Sequence, residues 1–506
     1  MTEDLTTPDN PTDVLHSGEA GGRVIRGAVI RTAGFGVGIL FGLGTSALLL
    51  RHLGVSEYGK YGTIAALLGL VLALSDGGLS TIGARELSTA EPGNDRDRKL
   101  SSLMLIRLGT TTLGVVVAVV FAALAYGAEM SLGAALVGAS VLLISMQSMA
   151  TLPLLVGLRL APVTALEVMR HALTFVGVAA LVLASAGLTA FFFVQIPIAA
   201  ILLIITLIYV RRTFSVTMRA HRGEALRLAR ATLPLAVATT MIVLYGGAMV
   251  ILVSLLTTEY ETGLYVTSAR VMEVVIGLPS MVTGLALPIL TIANLTDRER
   301  LRAALQQMIE LGLIISALVA ALIALTAPAI IALIGGPKFA DAAPILAVQG
   351  VAVIGVFLNQ TLQFALVSIH QQRLLIITNS IALAALVIYG LVFVSAFDAM
   401  GGAYAIIAGE ATLAVLLLLT MRKSAPDVQP SLRFVWKIIL CAAVAMAASY
   451  LSLPSHWLNG IIGGGVFVVV AIALRAIPSE LIVALAAPVV DQDRTRALLR
   501  RYYGAA

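Results

Sequence analysis

Apolar residues run along this chain in long blocks, and polar residues gather in short clusters between them. Fourteen such blocks fall between residues 27 and 477. An α-helix needs about 20 apolar residues to cross the hydrocarbon core of a bilayer, and each block supplies them or comes close. Two blocks carry amides and are still long enough to cross. The block 131–155 holds Gln147 and Ser148, and 342–369 holds Asn359, Gln360 and Gln363. The first block is too long for a signal-peptide core and is soon followed by another, so it reads as a retained first helix. Before it, residues 1–22 are polar and too poor in apolar surface to fold, which predicts a disordered tail.

The basic residues give these spans a direction. Of 33 lysines and arginines, 27 fall on the side of the two termini. Only Arg51, Lys60 and Lys338 fall on the other side, and Arg107, Arg170 and Arg270 lie within spans. By the positive-inside rule both termini are cytoplasmic. A wrong span count would scramble this alternation, so the split also supports fourteen. No outer loop exceeds about 15 residues, well inside the length over which that rule applies.

Composition agrees. Charged residues make up 12% of the 506-residue chain, against about 25% in soluble domains. Mean hydropathy is +1.00. The net charge of +6 does not signal nucleic acid, because the basic residues sit in short loops where membrane orientation accounts for them. The single Cys441 excludes an intrachain disulfide and a thiol–metal cluster. No G-x-x-x-x-G-K-[ST] motif is present, so no ATP site of that kind is expected. Neither a catalytic residue, a metal nor a cofactor is predicted.

An internal repeat organises the spans. The pattern G-x-Y-x-T-x-A occurs at Gly59, Tyr61, Thr63, Ala65 and again at Gly263, Tyr265, Thr267, Ala269, 204 residues later. Both copies lie where an outer turn enters an even-numbered span. Repeats six spans apart keep the same orientation and are related by an axis along the membrane normal. The expected architecture is therefore all-α and polytopic, with two six-helix bundles and two extra helices. The expected divisions are a tail 1–22, a first bundle 23–210, a cytoplasmic amphipathic linker 211–231, a second bundle 232–421, two further spans in 422–477 and a cytoplasmic segment 478–506. The linker, rich in arginine, suits either a helix lying on the inner surface or a solvated connector.

Within the spans, charge is costly: roughly 2.5–3.5 kcal/mol for one such residue at mid-bilayer on insertion scales. Arg270 and Glu273 stand three apart and share a helix face, so they can pair. They serve either as a ligand contact or as a structural ion pair. Asp76, in LSDGGLS, is a candidate proton or cation relay or a packing cap beside two glycines. Arg31 lies near the inner end of span one and can snorkel; Arg107 falls early in span three and Arg170 early in span five. Glu310, Asn359, Gln363 and Glu410 add buried polarity to later spans. Together they suggest a polar, partly cationic interior between two halves, suited to a phosphate or diphosphate headgroup. Arg31, Arg107, Arg170 and Arg270 are the candidate headgroup contacts. Asp76, Glu273, Glu310, Asn359, Gln363 and Glu410 are the candidate cavity or ion-coupling groups.

Four stretches carry a family resemblance: LLLRHLGVSEYGKYGTIAALL (48–68), GLYVTSARVMEVVIGLP (263–279), IIALIGGPKFADAAPILAVQGVAVI (330–354) and FDAMGGAYAIIAGE (397–410). They resemble the Wzx-type oligosaccharide flippases of the multidrug/oligosaccharidyl-lipid/polysaccharide superfamily. The resemblance covers roughly residues 24–477 and specifies fold better than substrate. It implies transfer of an undecaprenyl-diphosphate-linked oligosaccharide across a bacterial plasma membrane by alternating access. Related lipid II flippases use cavity arginines in helices one, two and eight, which here carry Arg31, Arg85 and Arg270. The implied partners are the lipid-linked oligosaccharide, membrane lipid and other polysaccharide-assembly membrane proteins. Cation-coupled multidrug antiport on the same fold is the second reading. A membrane-embedded polysaccharide polymerase or ligase is the third, disfavoured because such enzymes need a sizeable outer loop.

Overall fold

Long apolar runs give long helices, and the breaks come where glycine or a strained residue lets the backbone turn. The computed structural model describes residues 20–474 except 92, 214–221, 297, 370, 432–433 and 451–455. The tail up to residue 19, the segment 478–506 and residues 214–221 of the expected amphipathic linker lie outside the described residues.

Among the described residues fifteen α-helices follow in order: α1 (Ala20–Asp76), α2 (Leu79–Ser88), α3 (Asn94–Tyr126), α4 (Ala128–Ala150), α5 (Leu152–Val156), α6 (Leu160–Leu183), α7 (Leu188–Phe193), α8 (Gln195–Thr213), α9 (Arg222–Leu256), α10 (Glu259–Thr296), α11 (Arg298–Ile334), α12 (Ala342–Ser368), α13 (Gln372–Ser424), α14 (Val435–Tyr450) and α15 (His456–Ala473). Ten helical stretches among the described residues are long and apolar enough to cross a membrane. The protein is an all-α, multi-pass membrane protein, in keeping with a bacterial plasma membrane. Two of its helices turn sharply within their length, at Gly54 (φ 76°) in α1 and at Asp398 (φ 51°) in α13.

The chain forms two compact units, Met1–Gly247 and Ala248–Ala506. In the first, α1 packs along α6, α3 along α4, and α4 along α8. One core gathers Ile64, Leu68, Val115, Ala118, Val141 and Phe192. A second gathers Leu79, Leu87, Leu100, Leu103, Met149, Leu152 and Leu228. In the second unit α12 is central, packing on α10, α11 and α13, while α14 and α15 pack on each other and on α11. The first part of α9 belongs to the first unit, so the boundary falls inside α9 at 247 rather than in the loop before it.

Each copy of the repeated motif makes the same local hydrogen bond. Thr63 Oγ1 donates to the Gly59 carbonyl at 2.9 Å, and Thr267 Oγ1 to the Gly263 carbonyl at 2.7 Å. Both threonines are buried. In lipid a buried hydroxyl needs a partner, and the carbonyl one turn back supplies it. Each unit also ties the motif helix to a residue at the N-terminal end of a later helix. In the first, Lys60 meets Glu129 at 3.3 Å; in the second, the Tyr260 hydroxyl donates to Asp341 at 2.9 Å.

Candidate functional site

The apolar run read as a single second span is broken in the first unit. The helix ends at Asp76, and Gly77 (φ 45°) and Gly78 (φ 77°) separate it from α2. Side chains with a Cβ resist that left-handed region, which glycine enters freely. The break leaves Asp76 near polar groups. Arg107 Nη1 donates to Asp76 Oδ1 at 3.1 Å, and its Nη2 donates to the Leu72 carbonyl at 3.1 Å. Ser80, the second residue of α2, donates to the same carboxylate oxygen at 2.5 Å. The Arg107 side chain is only 3% exposed, that of Asp76 31%. Two residues read from sequence into different roles, headgroup contact and ion coupling, thus hold each other. A headgroup would reach Arg107 only after that pair parted.

Arg170 takes a different partner. Its Nη2 donates to Gln147 Oε1 at 3.0 Å, and Gln147 Nε2 donates to Thr206 Oγ1 at 3.4 Å. The contact joins α4, α6 and α8. The Nε groups of Arg107 and Arg170 are buried without a hydrogen-bond partner among the described residues. Arg31 is exposed on α1.

A surface cluster lies at the arginine-rich end of the same unit. Arg227, in the second turn of α9, makes paired hydrogen bonds to Glu86 of α2 (3.3 and 2.9 Å) and to Glu224 (3.3 and 2.7 Å). Lys99 stands 3.8 Å from Glu86 and 3.1 Å from Asp95. The hydrogen bonds from Arg227 hold the Glu224 carboxyl below its ordinary value, against the opposing effect of burial. Glu224 therefore stays ionised at neutral pH, and its pairing with Arg227 is lost only as acid titrates that lowered group.

In the second unit, Arg270 and Glu273 pair at 2.5 Å with side chains 39% and 67% exposed. Asn359 and Glu410 also meet: Asn359 Nδ2 donates to Glu410 Oε2 at 2.6 Å and to the Glu410 carbonyl at 3.0 Å. Both residues are buried, and Asn359 Oδ1 has no hydrogen-bond partner among the described residues. Gln363 is half-buried one turn further along α12. Glu310 lies elsewhere, accepting a hydrogen bond from Gln306 at 2.7 Å in a cleft of about 530 Å³ shared with Glu299, Arg302, Ser431 and Phe434.

The Asn359–Glu410 contact has a counterpart in the first unit. Thr206 precedes Glu410 by the repeat interval of 204 residues, and both receive an amide from a buried residue on a neighbouring helix. The first unit places a neutral hydroxyl there beside Arg170; the second places a carboxylate. Sequence inspection did not identify Gln147, Thr206, Ser80 or Arg227 as site residues. The repeat interval was the available signal for Thr206, and an amide inside an apolar run was the signal for Gln147.

This geometry makes a stability prediction. Glu410→Gln keeps a side-chain acceptor for Asn359, whereas Glu410→Leu leaves the buried amide only the residue 410 backbone carbonyl and one N–H unpaired, at a cost of about 1–3 kcal/mol. Thermal unfolding of the purified variants should place the leucine variant clearly below the glutamine variant.

Comparison with known proteins adds the following. The family described as polysaccharide biosynthesis protein matches residues 48–344, more than half of the chain. Among curated proteins none matches. Several solved structures share the fold. A lipid II flippase MurJ in an inward closed conformation superposes with a TM-score of 0.74 at 16% identity, covering 90% of this chain and 100% of that one. An inward-facing multidrug resistance MATE family transporter gives 0.62 at 14% identity, over 79% and 98%. A MOP superfamily transporter from Pyrococcus furiosus gives 0.56 at 15%, over 85% and 100%.

Proposed function

The chain belongs to the polysaccharide biosynthesis protein family within the multidrug/oligosaccharidyl-lipid/polysaccharide superfamily, and from that premise we propose that it flips an undecaprenyl-diphosphate-linked oligosaccharide from the inner to the outer leaflet. It is a transporter of the flippase type rather than an enzyme, and its fold is that of alternating-access carriers. The family match over residues 48–344 carries the reading. The arginines inside its spans support it, since a diphosphate is an anion that guanidinium groups bind in paired fashion. Arg270 is the leading headgroup contact, because its side chain is open on one side while Arg107 is enclosed. Arg31 and Arg170 are secondary candidates.

The same reading includes fourteen spans with both termini cytoplasmic. Ten helical stretches qualify directly. Two of them turn at Gly54 and Asp398 and count twice, and α10 and α14 complete the number. Six spans, six spans and two extra follow from the repeat.

Replacing Arg270 with alanine is expected to reduce surface glycan export at least about tenfold, the effect of losing a charged contact worth roughly 1.5–3 kcal/mol. The protein itself should still reach the membrane in normal amount, because the Arg270–Glu273 pair is partly solvated. Normal export at normal expression would remove Arg270 from the site. For the function itself, gene deletion should leave a lipid-linked glycan on the inner leaflet. The Asn359–Glu410 pair favours a second reading, cation-coupled drug antiport, through a buried acid able to carry a proton. Deletion would then raise drug susceptibility with no lipid-linked glycan accumulating.

A further inference from the structure

We propose that the cleft at the arginine-rich end of α11 binds a zwitterionic phospholipid headgroup, with its phosphate on Arg302 and its primary ammonium on Glu310. The inference stands whichever substrate the protein carries. Four observations in the second unit carry it.

The first is depth. The apolar part of α11 runs from Leu301 to Ile334, and Gly335 and Gly336, the latter at φ 76°, end it at the other face. Glu310 stands 24 residues before Ile334, about 36 Å along the helix at roughly 1.5 Å per residue. The hydrocarbon core is only about 30 Å thick. Glu310 therefore lies at the headgroup layer, with Arg302 two turns further out. Trp436, two residues after Phe434 of the cleft wall, is 57% exposed, as suits an aromatic residue at that level.

The second is a preformed wall. Gln306 donates to the Ser431 carbonyl at 2.9 Å and accepts from the Ser431 N–H at 2.7 Å. A side-chain amide thus pairs with the backbone of the α13–α14 connection. Val428 of that connection is buried, and its short 3-10 turn, Pro426–Val428, packs on α11. The cleft of about 530 Å³ left between them is of a size that holds small molecules, about 300–1,000 Å³.

The third is that both charges are available. Glu310 accepts one hydrogen bond, from the neutral Gln306 amide at 2.7 Å, and no cation pairs with it among the described residues. Arg302 is exposed and makes no hydrogen bond or ion pair among the described residues. Both side chains line the same cleft.

The fourth is the balance of charge. Among the described lining residues, Glu299 and Glu310 oppose Arg302 alone, which disfavours a purely anionic headgroup. A headgroup with a phosphate and an ammonium satisfies both signs. A primary ammonium also brings N–H donors for the carboxylate, which a quaternary one lacks. Phe434 and Ala303 give the glycerol end an apolar wall.

The test purifies the full chain in detergent and counts lipid adducts by native mass spectrometry. The probes are phosphatidylethanolamine, phosphatidylcholine and phosphatidylglycerol with identical acyl chains. The ethanolamine lipid is expected to bind about fivefold more tightly than either other, which is roughly 1 kcal/mol. Glu310→Gln keeps an acceptor for Gln306 and should abolish the preference over the choline lipid without weakening choline binding. Arg302→Gln should weaken both about fivefold and leave their ratio unchanged. A merely structural role for these residues would not separate the two lipids. If Glu310→Gln does not accumulate, Ser431→Trp, which fills the cleft, should abolish the preference in its place. Soluble phosphoethanolamine at the same concentration should not displace the lipid; displacement would assign the cleft to a soluble ligand and overturn the lipid reading. Equal binding of the three lipids, preference for the glycerol lipid, or an unchanged preference in Glu310→Gln also overturns it. None of these outcomes depends on glycan export, so the flippase reading stands or falls separately.

Discussion

Asp76→Ala is expected to destabilise the protein by about 3–5 kcal/mol, the usual consequence of stripping the partner from a buried charge. The charge left behind is Arg107, whose side chain is 3% exposed and which keeps its hydrogen bond to the Leu72 carbonyl. Arg107→Met is expected to cost less, about 1–3 kcal/mol, because Asp76 is 31% exposed and keeps Ser80 as a donor. The order of the two single variants is the informative part: the acid should matter more than the base. The double variant Asp76→Ala with Arg107→Met leaves no buried charge and should recover much of the loss. Thermal unfolding in detergent, with membrane abundance as a second readout, checks all three. Should the double variant be as unstable as Asp76→Ala, the pair is not the source of the cost.

Gly401→Ala is the other change with a large expected effect. Gly401 follows the sharp turn at Asp398 within α13, where the chain doubles back on itself. A methyl there would lie 2.0 Å from the Phe393 carbonyl oxygen and 2.6 Å from the Val394 nitrogen. These are backbone atoms of the preceding limb, so no side-chain rotation relieves the clash and the turn itself must open. A loss of about 3 kcal/mol or more is expected, at the upper end of what overpacking costs. Gly69→Ala is the control. It lies inside α1 with nothing within 4 Å of the added methyl, and should be neutral or slightly stabilising. Comparable loss in both variants would mean that glycine content, rather than the close approach at the turn, governs stability.

Much of this protein is decided locally, and the sequence reports what is local. Run length against bilayer thickness identifies membrane helices, because lipid offers the backbone no hydrogen bonds and forces it to satisfy itself. The repeated motif was legible for the same reason: Thr63 and Thr267 bond to carbonyls one turn back, so five consecutive residues contain the whole interaction. The Arg270–Glu273 pair was legible too, since three positions on a helix share a face.

What only the tertiary structure decided is which distant groups meet. Asp76 and Arg107 were singled out separately, and so were Asn359 and Glu410, yet nothing in a linear pattern joins residues 31 or 51 positions apart. The break at Gly77–Gly78 was hidden because two glycines in an apolar run read equally well as helix. Arg227 looked like one more arginine in a basic loop until α2 brought Glu86 to it. Helix formation is set by neighbours along the chain, whereas charge pairing across helices is set by packing angles and register. Those depend on every side chain in the interface at once, and no short stretch of sequence contains them.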